Sequence, residues 1–202
     1  MEMLTAVTAD VINNLSPDAG IVLFNVPLDN VEDAEAMAAL IETNRGKAGT
    51  WGGVSDGDIK VNEGRTSWSP TFNGKRIPFK GDKFLDYAEP KVSFTMLEMT
   101  PENFVVASGA ADKDGNGTHI TVTPRASYKD SDYLTNMLWC TMKGHDGIYV
   151  VELLNALCTK GIDSTAGDRK VAQLAVEFTG HKDDPTQLDT LPIRYHFFAA
   201  KA

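Results

Sequence analysis

The sequence is poor in cysteine, in basic residues and in long apolar runs. Among 202 residues it has two cysteines, too few for a disulfide framework. Asp and Glu number 28 against 19 Lys and Arg, a formal net charge of −9, which argues against a protein that binds nucleic acid by neutralising phosphates or docks on an anionic membrane. The longest apolar stretches are interrupted by Asn25, Glu152 and Asn155, so they are too short to span a membrane.

The cysteines, Cys140 and Cys158, flank a predicted hairpin turn, Gly-His-Asp-Gly, at residues 144–147. Antiparallel partners sum to a constant, so this turn would set Cys140 opposite residue 151 or 152. Cys158 would then lie far along the other strand, beyond the distance that a disulfide bridges. No Lys or Arg precedes an apolar run in residues 1–5, so we expect no secretory signal, and reduced thiols in a cytoplasmic product.

Motifs of enzyme chemistry are scarce in this chain. The four histidines include no pair at the helical spacing of a zinc site, and the sequence has no Cys-x-x-Cys. It also has no P-loop and no Gly-x-Ser-x-Gly nucleophile elbow. We therefore expect a protein that is not an enzyme and holds no cofactor. An enzyme would have to assemble its site from distant residues such as His145 and Asp146.

The pattern of apolar residues predicts one mainly β domain over residues 1–202, an antiparallel β-sandwich or partial barrel with one flanking α-helix. Asn30 is the expected cap of that helix, at about residues 31–43, because acidic residues follow it. Met37 and Ile41 lie on its apolar stripe. The strands are predicted at residues 21–26, 91–100, 118–125, 133–143, 148–158, 170–179 and 191–198.

Residues 44–82 combine many glycines with large apolar side chains. A disordered linker would lack the aromatic residues. The composition therefore predicts a long, glycine-rich ordered loop or hairpin with apolar anchors, and such loops are usually functional. The anchors are Trp51, Trp68 and Phe72. They pack either on the core of their own subunit or on another protein, and the sequence leaves both possibilities open.

The run Asp-Lys-Asp-Gly-Asn-Gly at residues 112–117 copies the opening of a calcium loop, with oxygen ligands at alternate positions and glycine at the sixth. The twelfth position, where such loops carry Glu, is Thr123, and no helix is predicted on either side. The alternative is a turn-rich connection to the next strand, in which Asp and Asn suit the turn geometry. Asp112, Asp114 and Asn116 are therefore weak candidates for a metal site.

The predicted strand near the C-terminus alternates most regularly. Leu174, Val176 and Phe178 would share one face, with Gln173 and Glu177 on the other. The polar face is either the solvent side of a half-buried sheet or the lining of a wet, negatively charged passage. The sequence does not distinguish the two.

Taken in order along the chain, several segments resemble the major tail tube proteins of long, non-contractile-tailed bacteriophages. These segments are DAGIVL at residues 18–23, GKAGTWGGVS at 46–55, FKGD at 79–82, PKVSFTMLEMTPEN at 90–103, NAL at 155–157 and AVEFTGHKD at 175–183. The fourth segment resembles a strand that ends in Leu-Glu-x-Thr-x-Glu and leads into a short helix.

The resemblance implies a phage tail tube fold whose subunits form hexameric rings, which stack into a tube around a tape-measure protein. Inner sheets of neighbouring subunits would join into one continuous barrel, and tail terminator and tail-tip proteins would bind the tube. DNA would later pass along the lumen, without specific binding, during ejection. The expected location is the virion tail, after assembly in the host cytoplasm and without membrane contact.

In this setting the candidate residues acquire roles. Trp51, Trp68 and Phe72 become candidates for contacts between stacked rings, because aromatic side chains dominate interface energetics. Gln173 and Glu177 become candidates for the lumen, where an acidic surface would repel the phosphates of passing DNA.

Two alternatives stay open. A related tube subunit would serve a contractile tail, a phage-like bacteriocin or a type VI secretion system, although the glycine-rich insertion and Gly-His-Lys-Asp at residues 180–183 resemble the non-contractile kind more closely. A calcium-binding β-sandwich module would instead use Asp112, Asp114 and Asn116, and calcium would then raise its melting temperature.

Overall fold

The computed structural model describes residues 19–71, 77, 79–143, 147–168, 170–184, 186 and 190–200. It is mainly β, with 50% strand and 13% helix. The helices of the described residues are α1 (Ala34–Asn44) and α2 (Pro101–Ser108), with a 3₁₀ turn at Asp130–Asp132. The strands are β1 (Ile21–Phe24), β2 (Trp51–Asn62), β3 (Arg65–Trp68), β4 (Phe84–Ala88), β5 (Lys91–Met96), β6 (Ala111–Asn116), β7 (His119–Pro124), β8 (Leu134–Lys143), β9 (Gly147–Cys158), β10 (Asp163–Gly167), β11 (Lys170–Thr179) and β12 (Ile193–Phe198).

An eight-stranded antiparallel sheet forms the body, in the order β10-β11-β5-β2-β1-β8-β9-β12. β11 also pairs with β9, where Phe178 lies opposite Cys158 and Thr179 opposite Leu157. This extra pairing closes β11, β5, β2, β1, β8 and β9 into a six-stranded barrel, with β10 and β12 as added strands. β3 with β4 and β6 with β7 form two separate hairpins. The predicted mainly β, antiparallel architecture is confirmed at this level.

Two apolar clusters lie on opposite sides of the barrel wall. Inside the barrel, the Phe178 ring lies 5.9 Å from the Phe24 ring and 5.7 Å from the Phe94 ring, measured between centroids. Outside the wall, α1 packs Met37 and Ile41 against a second cluster on β1, β8 and β9. Each strand of the wall that lies between the clusters therefore buries both of its faces, which explains the nearly continuous apolar runs of β8 and β9.

The predicted helix is present, but it begins later than expected. Asp33, not Asn30, caps it, because the Asp33 carboxylate accepts a hydrogen bond from the backbone N–H of Ala36 at 2.8 Å. Asn30 instead has a φ of 65° and lies in the turn before the helix. The apolar stripe therefore predicted the helix correctly, and the expected cap, Asn30, was wrong.

Residues 44–82 were predicted as a long loop or hairpin, and their first part is instead a strand of the barrel, β2. The glycines that suggested a loop have a packing reason. A Cβ atom at Gly52 would lie 2.8 Å from the Phe24 ring, so only glycine lets that ring pack against the strand. Gly53 has a φ of 94°, which other residues rarely adopt.

The apolar pattern predicted one helix, and this count is wrong. α2 is a second, short helix, capped by the Thr100 hydroxyl, which accepts from the N–H of Asn103 at 3.2 Å. Pro101 occupies the first turn and Gly109, with a φ of 72°, ends the helix. The short helix that the segment at residues 90–103 implied is therefore present, although its eight residues are too few to give a clear helical period.

The β8–β9 hairpin is confirmed, but Cys140 lies opposite Val150 rather than residue 151 or 152. Cys140 and Cys158 are both buried and unbridged. Burial raises the pKa of both thiols, so they are structural side chains with little nucleophilic character at neutral pH. His145 and Asp146 lie outside the described residues.

Candidate functional site

The outward face of β11 carries the two residues proposed for a lumen. Leu174, Val176 and Phe178 are buried in the barrel. Gln173 and Glu177 alternate with them and are half-buried on the opposite face. The faces predicted for this strand are therefore confirmed.

Four strands form this outward surface, which we call the polar face. β5 pairs with β11 on one side and with the second half of β2 on the other, while β10 pairs with the far edge of β11. Paired residues lie on the same side of a sheet, so the register sets a row of polar side chains across all four strands. The polar face consists of Asp56, Lys60, Asn62, Lys91, Ser93, Thr95, Asp163, Thr165, Gln173, Ala175 and Glu177.

Hydrogen bonds between strands fix several of these side chains. Gln173 Nε2 donates to Asp56 Oδ2 at 2.9 Å, across the width of β5. Ser93 Oγ donates to Glu177 Oε2 at 3.1 Å, and Lys91 Nζ lies 3.7 Å from Glu177 Oε1. The polar face is thus a surface of paired polar groups, and none of its members is a large apolar side chain.

The charge of the polar face is nearly balanced. Its described charged side chains are the carboxylates of Asp56, Asp163 and Glu177 and the ammonium groups of Lys60 and Lys91. A hydrogen bond to Glu89 raises the pKa of Lys91, so this lysine keeps its charge at neutral pH. The face is weakly acidic, rather than the strongly negative surface that the net charge of −9 suggested.

Both ends of the polar face are open within the part of the chain that the structure describes. β10 pairs with β11 alone, which leaves its other edge without a partner strand. At the opposite end, β1 pairs with β2 only between Trp51 and Val54, so residues 56 and 60–62 of β2 pair with β5 alone. Open edges present unpaired N–H and C=O groups, and they are templates for pairing with another chain.

The three predicted aromatic anchors differ in where they lie and in how exposed they are. Trp51 is 8% exposed and its indole N–H donates to the Glu98 carboxylate at 2.9 Å, so it belongs to the core of its own chain. Trp68 lies on β3 and is 53% exposed, with its ring 5.4 Å from the Phe84 ring on β4. Phe72 lies outside the described residues.

The β3–β4 hairpin exposes more apolar surface than the sequence indicated. Trp68, Phe84, Leu85 and Tyr87 are all exposed on its two strands. A two-stranded hairpin with exposed apolar side chains is only marginally stable in water on its own, and such patches mark interaction sites. The sequence reasoning missed β4, whose signal was the short run Phe-Leu-Asp-Tyr-Ala between glycine and proline.

The segment that resembles a calcium loop is a strand and turn. Asp112 and Asp114 belong to β6, which pairs with β7 along its whole length. Asp112 Oδ1 lies 3.0 Å from Arg125 Nε, so a guanidinium group already neutralises it. Asn116 Oδ1 accepts from the N–H of Thr118 at 3.2 Å, as in an ordinary turn. Among the described residues, no three His, Cys, Asp or Glu side chains gather closely enough to hold a metal ion.

Calcium should therefore leave the stability of the protein unchanged. We expect the same melting temperature in saturating calcium and in chelator, because Arg125 occupies the side of Asp112 that a cation would need. Differential scanning fluorimetry checks this, with Asp114→Asn as the matched variant. A rise in melting temperature that calcium produces in the natural protein and not in this variant would restore the metal-binding interpretation.

A buried carboxylate on β9 was missed by the sequence reasoning. The Glu152 side chain is 5% exposed. One of its oxygens lies 3.1 Å from His196 Nε2 and 3.5 Å from Arg194 Nη1 on β12, and the other accepts from Asn136 Nδ2 at 3.1 Å. The sequence does show Glu152 within the apolar run at residues 148–158. A charged residue in a buried strand needs polar partners, so this position could have indicated a buried cluster.

These features define a mainly β protein with a six-stranded antiparallel barrel, a polar face with two open edges and an exposed aromatic hairpin. No helix among the described residues is long and apolar enough to cross a membrane. Comparison with models of known protein families found no match, and comparison with curated proteins found none.

Proposed function

We propose that the chain is a structural subunit that polymerises with copies of itself, as stacked hexameric rings, into the tail tube of a long, non-contractile-tailed bacteriophage. The observation that carries this proposal is the polar face with an open strand edge at each end. In this role the protein is a conduit for DNA ejection and makes or breaks no covalent bond. It would reside in the virion tail after assembly in the host cytoplasm.

The two open edges belong to different strands, β10 at one end and residues 56–62 of β2 at the other. A contact between two different edges is heterologous, and heterologous contacts generate a closed ring when the rotation between copies closes. Pairing β10 of one subunit with β2 of the next would extend the polar face around such a ring. It would also remove both exposed edges, which an isolated subunit leaves available for aggregation. The number of six subunits comes from the family resemblance alone.

The polar face suits the inside of a conduit. Gln173 and Glu177 lie near its centre, and their hydrogen bonds to Asp56 and Ser93 leave few strong binding groups free. A weakly acidic, hydrated wall gives no cluster of cations for phosphate binding, so DNA would pass without being held. The tape-measure protein would fill the same lumen before ejection, and terminator and tail-tip proteins would bind the tube ends.

The β3–β4 hairpin is the part of the subunit that suits contact between stacked rings. It is not part of the barrel, and its aromatic side chains, Trp68, Phe84 and Tyr87, are exposed. Aromatic residues that insert into a partner supply most of the energy of protein interfaces. Trp51 is buried in its own chain and is no longer a candidate for this contact.

Electron microscopy of the purified protein tests the proposal directly. We expect rings or hollow tubes in negative stain, and a light-scattering mass that is a large multiple of the 21.9 kDa subunit and grows with concentration. A protein that stays monomeric up to its solubility limit would contradict the proposal. Compact dimers without a lumen would contradict it as well.

A proline on the open edge of β10 should abolish assembly and leave the subunit folded. Ala166 falls between the paired residues Thr165 and Gly167, at an irregularity in the β10–β11 register. Ala166→Pro therefore removes a backbone N–H at a residue that has no paired partner in β11, so the paired residues of the native sheet are kept. Ala166→Thr keeps the N–H and is the matched control. We expect tubes from the threonine variant and folded monomers from the proline variant, checked by circular dichroism and microscopy. Tubes of normal length from both variants would show that β10 does not pair with β2 of the next subunit.

A further inference from the structure

The tip of the β6–β7 hairpin places an asparagine directly before a glycine. Asn116 pairs with His119, so Gly117 and Thr118 form a two-residue loop between the strands. All four residues are exposed. Each of the other asparagines among the described residues is followed by a residue that has a side chain. Within this part of the chain, Asn116 alone therefore precedes a peptide nitrogen that no adjacent side chain shields.

Thr118 holds the Asn116 side chain against this peptide group. The Thr118 backbone N–H donates to Asn116 Oδ1 at 3.2 Å, and the Thr118 hydroxyl donates to the same oxygen at 2.6 Å. Because both donors lie two residues after Asn116, the carboxamide folds forward along the chain, toward the Gly117 nitrogen. Two donors on one amide oxygen also draw electrons from the carbon that carries it, Cγ, which favours attack by a nucleophile.

We propose that Asn116 is a site of self-modification, at which the backbone nitrogen of Gly117 attacks Asn116 Cγ while Thr118 binds the amide oxygen. A bond forms between this nitrogen and Cγ, and the nitrogen loses its proton to water or hydroxide. The bond from Cγ to Nδ2 breaks, and Nδ2 takes up a proton and leaves as ammonia. Water then opens the succinimide ring and gives aspartate or isoaspartate. The reaction needs no oxidant and no reductant.

The two Thr118 donors would act in the step in which the nitrogen adds to Cγ. Negative charge then develops on Asn116 Oδ1, and donors that are already in place stabilise such an oxyanion. The nucleophile and the carbon that it attacks belong to neighbouring residues, so no encounter between separate molecules is needed. The hairpin loop therefore supplies an unshielded nucleophile and a preformed site for the developing charge.

The modification would alter the hairpin and leave the barrel intact. β6 and β7 form a two-stranded sheet separate from the eight-stranded one, and their loop is exposed. Each conversion adds a carboxylate to a chain whose net charge is already −9. In the isoaspartate product the main chain also runs through the former side chain, which lengthens the turn. This inference does not depend on the proposed function, because it concerns chemistry within a single subunit.

Peptide mapping by mass spectrometry tests the proposal on the folded protein, incubated at mildly alkaline pH. Asn62 is the matched internal comparison, because it is exposed and its Oδ1 accepts from the N–H of Gly64, two residues on, at 2.9 Å, but the residue between them is Glu63. We expect Asn116 to change from amide to acid at least about tenfold faster than Asn62. Equal rates would overturn the proposal. The second Asn-Gly pair, at residues 73–74, lies outside the described residues and is followed as a separate peptide.

Three variants of the loop test the two parts of the mechanism. Gly117→Ala should slow the conversion of Asn116 at least about tenfold, and the fold accepts the methyl group because a Cβ atom there would meet no atom within 4 Å. Thr118→Val removes the hydroxyl donor and should slow the conversion about fivefold, as expected for a single hydrogen bond. Thr118→Ser keeps the hydroxyl and should keep the rate, which makes it the matched control. Circular dichroism checks that all three variants are folded.

Two results would contradict this mechanism. If Asn116 converts as fast in Gly117→Ala as in the natural protein, the Gly117 nitrogen is not the nucleophile. If Thr118→Val and Thr118→Ser convert at the same rate, the hydroxyl does not stabilise the developing charge.

Discussion

Replacing Phe178 with alanine should lower the free energy of unfolding by about 3–5 kcal/mol. Phe178 is fully buried and lies where β11 pairs with both β5 and β9, opposite Val92 and Cys158. Its ring packs against the Phe24 and Phe94 rings. Truncation would leave a cavity at the closure of the barrel, where three strands meet and the backbone has little freedom to collapse. Since domains of this size are stable by about 5–15 kcal/mol, the loss would be a large fraction of the total.

Chemical denaturation of the natural protein and two variants checks this expectation. Phe79→Ala is the matched control, because Phe79 is 61% exposed and its truncation should change the free energy of unfolding by less than about 0.5 kcal/mol. If Phe178→Ala cost no more than this control, the closure of the barrel by β11 and β9 would be wrong. The dependence of the unfolding free energy on denaturant concentration should be similar in all three proteins, because unfolding exposes nearly the same surface area in each.

Replacing Arg194 with methionine and His196 with phenylalanine together should cost about 3–5 kcal/mol at neutral pH. Both side chains contact one oxygen of the Glu152 carboxylate, Arg194 at 3.5 Å and His196 at 3.1 Å. Without them, a buried carboxylate keeps only the Asn136 amide as a direct partner. Both replacements retain much of the original volume, so the loss would come from the unpaired charge rather than from a cavity. Thermal and urea unfolding would measure it.

Two further measurements separate the charge effect from a general disruption of β12. Adding Glu152→Gln to the double variant should restore most of the lost stability at neutral pH, because the buried group is then neutral. Arg45→Met, which breaks an exposed ion pair with Glu42, is the surface control. A deficit that Glu152→Gln does not relieve would exclude the charge as its cause.

The periodic parts of the fold could be predicted from the sequence because their information is local. β11 was predicted with its correct bounds, Lys170–Thr179, and with its buried and polar faces correctly assigned. In a strand with one buried face, apolar and polar residues alternate along the sequence with a period of two. The β8–β9 hairpin followed from two apolar runs around a glycine-bounded turn, with an error of one or two residues in register.

The misses have a different origin, since they depend on contacts with distant residues. Gly52 contributed to the prediction of a loop, but it is a strand residue, and it is glycine because the Phe24 ring occupies the space of a side chain. For Trp51 the sequence left both an interface and the protein's own core open, and the fold buries it in one cluster with residues of α1, where its indole N–H donates to Glu98. In both cases the same residue type suits two environments, and only the neighbours supplied by the fold select between them.

The candidate site shows the same division. That Gln173 and Glu177 share a polar strand face could be predicted without the structure, because their alternation with buried residues is a local pattern. Which side chains join them depends on the folded arrangement, because Asp56, Lys91 and Ser93 come from strands far away in the chain. The tertiary structure also decided that β10 and the second half of β2 are edges, and that β11 closes onto β9. Edges and closure are properties of strand order, and strand order is set by how the whole chain packs its apolar faces together.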